Sequence, residues 1–400
     1  MNGGARIIVV GIGADGWTGL SAHAQSAVLA CDEVIGSSRQ LELLPQGAPP
    51  GRTWPSPIGP LVDELVAREH GHVCVLASGN PMLHGIGATL ARRLAPARLE
   101  VISHPSAFAL ACARLGWSEA NVSLVSTVAR PPEMVARFLQ PGRRIVVYGA
   151  GNEVAEVVRA AGCGPSRFVV LEQLGGPGER IREATATTWA PATELDPLHA
   201  IAIECWREPG APLHPLVPGL PDDAYEHDGA LTKRHVRAAT LAALAPTPGA
   251  LLWDVGAGSG SIAIEWLRSE PTARAIAVEQ RDDRARRIAR NANRLGVPSL
   301  EVLVGHAPDT LASAGTPDAV FVGGGLTTDG LIDACWDSLK AGGRLVANAV
   351  TIQGEQLLHR ALASHGGELA RIEVSHAEPI GGFTAWRPAL PIVQWSVEKP

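Results

Sequence analysis

Aromatic residues are scarce, at 4% of 400 residues. Cysteine is scarce too. Its six copies, at positions 31, 74, 112, 163, 205 and 335, form no C-x-x-C or zinc spacing, so they are expected to be buried thiols rather than a disulfide framework or a metal site. No apolar run is long enough to span a bilayer, and the start, Met1-Asn-Gly-Gly-Ala-Arg6, leads straight into a strand without a signal peptide. The reading is a cytoplasmic protein with no membrane partner. Basic charge is not in excess: 34 Lys and Arg stand against 40 Asp and Glu, a net −6. That argues against a nucleic-acid binder held by a general basic surface, and still allows a local cationic pocket for an acidic small molecule. What the chain has is 46% hydrophobic and 18% charged residues, the balance of a folded α/β protein with length for two or three domains.

One stretch organises the rest: Leu251-Leu-Trp-Asp-Val-Gly-Ala-Gly-Ser-Gly-Ser-Ile-Ala-Ile-Glu265. It reads as a buried strand, a glycine turn and the start of a helix. Glycines let the backbone turn sharply and approach a ligand, and a helix start favours negative charge. A second apolar run ends in Glu279, an acid placed to accept ribose hydroxyls. A dinucleotide site asks for G-x-G-x-x-G. Here Asp254 precedes Gly256, Gly258 and Gly260 at alternate positions, close to where a cationic amino group would lie. S-adenosylmethionine carries that group and no pyrophosphate, so a methyl-donor site is the better reading and NAD a poor one.

In the first half, 6–10 reads as a buried strand followed by Gly11-Ile-Gly-Ala-Asp-Gly16, which alone is a weak signal. Further strands are expected at 72–77, 99–102, 122–125, 144–148, 167–171 and 200–205. Helices are expected at 21–30, 60–69, 108–115, 133–139 and 152–160. This alternation predicts parallel sheets in two lobes, about 1–112 and 113–207. Residues 207–221 carry five prolines and two glycines, so 208–221 reads as a linker. A helix follows from 231–237 to about 244, where Thr232 is placed to cap. Strands at 300–304, 319–322 and 344–350, a helix from 353 and late strands near 372 and 392 complete a seven-strand doubly wound sheet over 222–400, with its ligands at the carboxyl ends of the strands.

Both halves resemble known families. The second resembles the decarboxylating half of the precorrin-6B C(5,15)-methyltransferases of cobalamin synthesis. Leu231-Thr-Lys-Arg-His-Val-Arg237, the glycine motif, Gly305-His-Ala-Pro-Asp309, Phe321-Val-Gly-Gly-Gly325 and Gly342-Gly-Arg-Leu-Val-Ala-Asn-Ala-Val350 carry the match. The first resembles the tetrapyrrole methylases through Val9-Val-Gly-Ile-Gly13, Ala77-Ser-Gly-Asn-Pro81, the turn from Ser103 to Phe108, Ala111-Cys-Ala-Arg-Leu-Gly116 and Leu171-Glu-Gln-Leu-Gly175. The implied fold is α/β, a two-lobed tetrapyrrole methylase domain followed by a Rossmann-like class I methyltransferase domain. The implied chemistry is methylation of one macrocycle at carbons 5 and 15, one S-adenosylmethionine per domain, with loss of CO2 from an acetate side chain to give precorrin-8X. Self-association is implied for both modules.

The resemblance assigns Gly256, Ala257, Gly258, Ser259 and Gly260 to the donor's methionine end, Glu279 to its ribose, and His306 with Ala307 to its adenine. Thr232 is carried over as a donor contact or, equally, a helix cap. Asp254 is read as reaching the donor's amino group. Lys233, Arg234, His235 and Arg237 are read as partners of substrate carboxylates or as a solvated helix face. Glu265 and Asn348 read as structural hydrogen-bonders. In the first half, Gly79, Asn80, Pro81, Ser106 and Ala107 match donor loops, and Gly11, Gly13 and Asp15 a loop facing the tetrapyrrole. Neither His84 nor His104 is read as a metal ligand, and no catalytic acid or base is assigned. The family usually has Asp where Asn80 stands, Gly at His104, His-Gly-Arg where Val128-Ala-Arg130 stands, and Asp at His306. Two rivals remain: a single-site enzyme whose first half only docks a tetrapyrrole, and an RNA methyltransferase.

Overall fold

Strand β1 (Arg6–Ile12) is buried at every position but its first. Continuous burial is what the centre of a parallel sheet demands. β1 pairs in parallel with β4 (His72–Ser78) on one side and β5 (Leu99–Ile102) on the other. With β2 (Glu33–Gly36) and β3 (Gly51–Thr53) they form a five-stranded sheet, order β3-β2-β4-β1-β5. β2 and β3 escape a reading by hydrophobic runs because they are short, and β3 is exposed along its length. The structure, a computed structural model, describes residues 4–190 and 194–400, which form two units by contact. One comprises residues 1–130, 141–159 and 163–207; the other 131–140, 160–162 and 208–400.

The first unit's second sheet departs from expectation. It comprises β6 (Val122–Ser126), β7 (Arg144–Tyr148), β8 (Arg167–Glu172), β9 (Arg180–Thr185) and β10 (His199–Glu204), in the order β6-β7-β10-β8-β9. Only β6 and β7 run parallel; the other three pairings are antiparallel. The reason is local. Among the described residues no helix separates β8, β9 and β10, and the three pair antiparallel without the helical crossover that a parallel pairing needs. The segment expected as a helix at 133–139 is the 3-10 helix Pro132–Phe138.

The second unit is built on seven strands in the order β13-β12-β11-β14-β15-β19-β16. These are β11 (Leu251–Val255), β12 (Arg274–Glu279), β13 (Glu301–Val304), β14 (Ala319–Val322), β15 (Arg344–Ala349), β16 (Glu368–Ile372) and β19 (Ile392–Glu398). The first five pair in parallel; β19 runs antiparallel between β15 and β16. Apolar clusters cover both faces, one around Trp266 and Phe321, the other around Trp253 and Trp395. A separate hairpin, β17 (Ser375–Ile380) with β18 (Phe383–Pro388), is exposed at all its strand positions. It presents Ile380, Phe383 and Trp386 at 61%, 82% and 76% exposure.

The proline-rich segment holds no helix or strand from 207 to 221, and its end is fastened. The Gly219 and Leu220 amides donate to the Glu265 carboxylate at 2.6 and 3.0 Å. All six cysteines are free and buried.

Candidate functional site

In the second unit the glycine loop joins β11 to the helix Ser261–Ser269. Gly256, Gly258 and Gly260 all have left-handed backbones, with φ of 69°, 60° and 76°. Side chains are excluded there twice over. A Cβ at Gly256 would lie 2.6 Å from the Gly324 backbone, and one at Gly260 2.7 Å from Ile288. Glu279, at the end of β12, is buried beside the loop: one carboxylate oxygen accepts the Gly258 amide at 2.9 Å, the other the Arg281 amide at 3.1 Å. Each oxygen keeps a lone pair for a hydroxyl.

Asp254 lies beneath the loop, 1% exposed. One oxygen accepts the Ala263 amide at 3.0 Å, in the first turn of the helix. The other is buried without a partner, as is the Ser259 hydroxyl. Burial pushes the Asp254 carboxyl up to about 7; the Ala263 amide pulls against this and the Glu279 charge adds to it. The left-handed glycine cradle and the orphaned Asp254 oxygen fit a ligand that is cationic at one end and carries hydroxyls at the other. His306 is exposed, with its carbonyl accepting from the Thr310 amide and hydroxyl, and Ala307 is partly buried on the neighbouring apolar cluster.

The cationic run divides. Lys233, Arg234 and His235 are exposed, Lys233 lying 3.8 Å from Asp222 and His235 with its ring 5.8 Å from that of His376. Arg237 is different, and its reading as a substrate partner is corrected. Its guanidinium is fully buried, donates to Glu265 at 2.6 Å and to Asp222 at 3.3 Å, and binds the Thr232 and Leu220 carbonyls. Tyr225 donates to the same Glu265 at 2.8 Å. Four of the five Arg237 N–H groups are thereby taken, and full burial closes the guanidinium to a carboxylate from outside. Thr232 does not cap the following helix either: Lys233 occupies the cap position and no side chain bonds there. Asn348 is a structural bonder, joining Thr240 at 3.0 Å and Gln394 at 2.9 Å.

In the first unit the three loops converge. A Cβ on Gly11 would overlap the Gly79 carbonyl, and one on Gly79 would lie 3.0 Å from Ser106 Cα. Gly13, Gly79, Asn80, Ser106 and Ala107 line a cavity of about 480 Å3; Pro81 is buried beside them. Ser106 caps the helix Ala107–Leu115, accepting the Ala109 amide at 3.0 Å. Asn80 uses its side-chain oxygen to accept the Met82 amide at 2.9 Å. The bond needs an acceptor and no charge, so Asn serves the turn as Asp would.

Asp15 and His104 form a pair that the sequence reading missed: His104 Nε2 lies 3.2 Å from Asp15 Oδ1. Gly13 and Gly19 make room for it, since a Cβ on either would collide with the Asp15 carboxylate. His104, the residue standing where the family has glycine, thus packs against the first loop. Arg39, Gln40, Trp54 and Tyr148 also line the cavity and carry no sequence signal of doing so, because distant segments bring them together.

Comparison with known proteins finds a family match in each half of the chain. The family described as tetrapyrrole (corrin/porphyrin) methylases matches residues 6–190, and the precorrin methyltransferase domain matches residues 223–399. A precorrin-6Y C(5,15)-methyltransferase (decarboxylating) of a Sinorhizobium species is 46% identical over 400 residues, covering 98% of this chain and 96% of that protein. The chain belongs to this family. A Mycobacterium tuberculosis protein of the same description is 47% identical, covering 98% of this chain and all of that one. A cobalt-precorrin-6B C(15)-methyltransferase (decarboxylating) of Salmonella typhimurium is 33% identical over 176 residues, covering 42% of this chain and 89% of its own. Membership makes the chain a methyltransferase enzyme that draws on S-adenosylmethionine. Among the described residues, no helix is long and apolar enough to cross a membrane.

Proposed function

We propose that the chain methylates precorrin-6B, named precorrin-6Y in its relatives, at carbons 5 and 15 and removes CO2 from an acetate side chain, giving precorrin-8X. Each unit uses its own S-adenosylmethionine. The observation carrying this reading is that each unit, taken by itself, gathers its own set of glycine loops at the carboxyl ends of its strands.

S-adenosylmethionine supplies an electrophilic methyl on a sulfonium. The protein's task is alignment, which can lower such a barrier by about 7–11 kcal/mol. In the second unit Gly256, Ala257, Gly258, Ser259 and Gly260 form the floor under the methionine end. Glu279 takes the ribose, His306 and Ala307 flank the adenine, and Asp254 holds negative charge below the amino group. Thr232 bounds the donor through its backbone. Lys233, Arg234 and His235 remain to meet substrate carboxylates. In the first unit Gly79, Asn80, Pro81, Ser106 and Ala107 hold the donor, and the loop of Gly11, Gly13 and Asp15 faces the macrocycle. The conjugated ring itself supplies the nucleophilic carbon and takes the electron pair left by CO2, so no dedicated base is required. Methylation at carbon 15 with decarboxylation belongs to the second unit, a pairing that the Salmonella relative's name joins in one protein of about that length.

The chain acts in the cytoplasm, takes no nucleic acid and self-associates. The hairpin favours a second copy as its cover. Among the described residues β17 and β18 pair only with each other, so the same edges on two copies can extend one another. Incubation of purified protein with precorrin-6B and the donor, read by mass spectrometry, is expected to show two added methyls less CO2. A single added methyl supports a docking role for the first unit instead, and an unchanged mass rejects both tetrapyrrole readings.

A further inference from the structure

Among the described residues, the 480 Å3 cavity of the first unit has no carboxylate in its walls. Its one permanently charged side chain is Arg39. Arg39 belongs to the short helix Ser38–Glu42 that follows β2, so it stands at the carboxyl end of the sheet. A capping box fixes that helix: the Ser37 hydroxyl accepts the Gln40 amide at 3.3 Å, and the Gln40 side chain accepts the Ser37 amide at 2.8 Å. The Gln40 side chain then donates to Ser78 at 3.2 Å, and Arg39 donates to the same hydroxyl at 3.3 Å. Ser78 immediately precedes Gly79, Asn80 and Pro81. Arg39 is therefore held against the loop read as gripping the donor.

Among the described residues no carboxylate oxygen lies within 4.0 Å of the Arg39 guanidinium. Asp196, whose charge acts on Arg39 from further off, is engaged elsewhere: its oxygens accept from the Gln173 amide at 2.9 and 3.0 Å and from the Leu198 amide at 2.7 Å. A half-buried guanidinium with one hydroxyl for company is a costly arrangement unless an anion completes it. Asn80 sharpens the point, because an Asp there would have put a negative charge in the same walls.

We propose that Arg39 is the carboxylate-binding residue of this cavity, and that its fork closes on a carboxylate of the bound reactants. The inference rests on the methylase reading of the first unit. Two sources offer that chemistry: the amino-acid end of the donor and the acidic side chains of the macrocycle. Both are testable on the full-length chain. S-adenosylhomocysteine carries the donor's carboxylate; 5′-methylthioadenosine shares its nucleoside and thioether and lacks it.

If the donor is the source, Arg39→Gln weakens one S-adenosylhomocysteine site about 10- to 100-fold and leaves 5′-methylthioadenosine binding unchanged. If the macrocycle is the source, both nucleosides bind as before and the Kd for the macrocycle rises by a similar factor. Arg39→Lys, which keeps the charge and loses the fork, recovers part of either effect. The proposal is overturned if Arg39→Gln leaves all three affinities at wild type. It is equally overturned if the two nucleosides weaken alike, which marks a change of cavity shape. Wild-type protein that binds a single equivalent of S-adenosylhomocysteine contradicts the two-donor reading instead, and the macrocycle measurement then decides the role of Arg39.

Discussion

Asp254 is a buried carboxylate whose ionisation the fold resists. Its carboxyl, raised to about 7 by burial, holds a proton in the folded chain at pH values where the unfolded chain, titrating near 4, has lost it. Stability therefore falls as pH rises from about 4 to 7, by up to about 4 kcal/mol. Asp254→Asn removes that slope. Urea midpoints at pH 5.5 and 8 are expected to converge in the variant relative to wild type. The ionised form is also the one that attracts the donor's amino group. Donor affinity is expected to drop below pH 7 in wild type and to be uniformly weak in the variant. At Gly258 the argument is steric: a left-handed backbone and an Ala230 carbonyl 3.0 Å from any Cβ leave no place for leucine. Gly258→Leu is expected to abolish one donor site and spare the other, which calorimetry with S-adenosylhomocysteine reads directly; loss of both or of neither contradicts it.

At the scale of elements, one buried ion pair and one buried carboxylate with two arginine partners fasten segments that look loose in the sequence. Arg237, with Glu265, holds the end of the proline-rich stretch to the helix Ser261–Ser269. Breaking such a pair from one side costs about 3–5 kcal/mol. Arg237→Gln is expected to lower the unfolding free energy of the second unit by that order, read by denaturant titration. A variant with full stability and weakened macrocycle binding would restore the substrate reading. Glu172 binds Arg180 and Arg182, both at 2.6 Å. Burial alone would raise its carboxyl, but the two guanidinium groups and the Asp196 amide outweigh it and hold it down at about 2. A depressed value stabilises above the unfolded value near 4.5 and is lost as pH falls toward 2. Glu172→Gln is expected to remove about 2 kcal/mol at neutral pH and nothing near pH 2, where acid melts of the two proteins meet.

These pairs show where reading the sequence stopped. The central strands β1, β4 and β11 were legible as unbroken apolar runs, and the glycine loop as alternate glycines after an acid. Glu265 and Asn348 were legible as structural residues. Arg237 was not, because a cation at a helix start looks the same whether it faces solvent or a buried glutamate. The antiparallel half of the second sheet was hidden for a similar reason. β9 is largely exposed and polar, so it carries no hydrophobic signal, and without it the turns between β8 and β10 cannot be seen. Arg39 and the Asp15–His104 pair depend on loops brought together from distant parts of the chain.

At the scale of the whole molecule the proposed function gives the chain two catalytic units, and the hairpin gives the second unit an uncovered apolar surface. A two-stranded hairpin is marginal in water by itself. Replacing both Phe383 and Trp386 by serine is expected to shift the particle mass toward a single chain in light scattering, with the fold of each unit retained; an unchanged mass would place the contact elsewhere. The central claim is that one polypeptide holds two donors at once. Equilibrium dialysis of the intact chain against S-adenosylhomocysteine tests it most directly: two equivalents bound per chain are expected, and saturation at one would contradict the account.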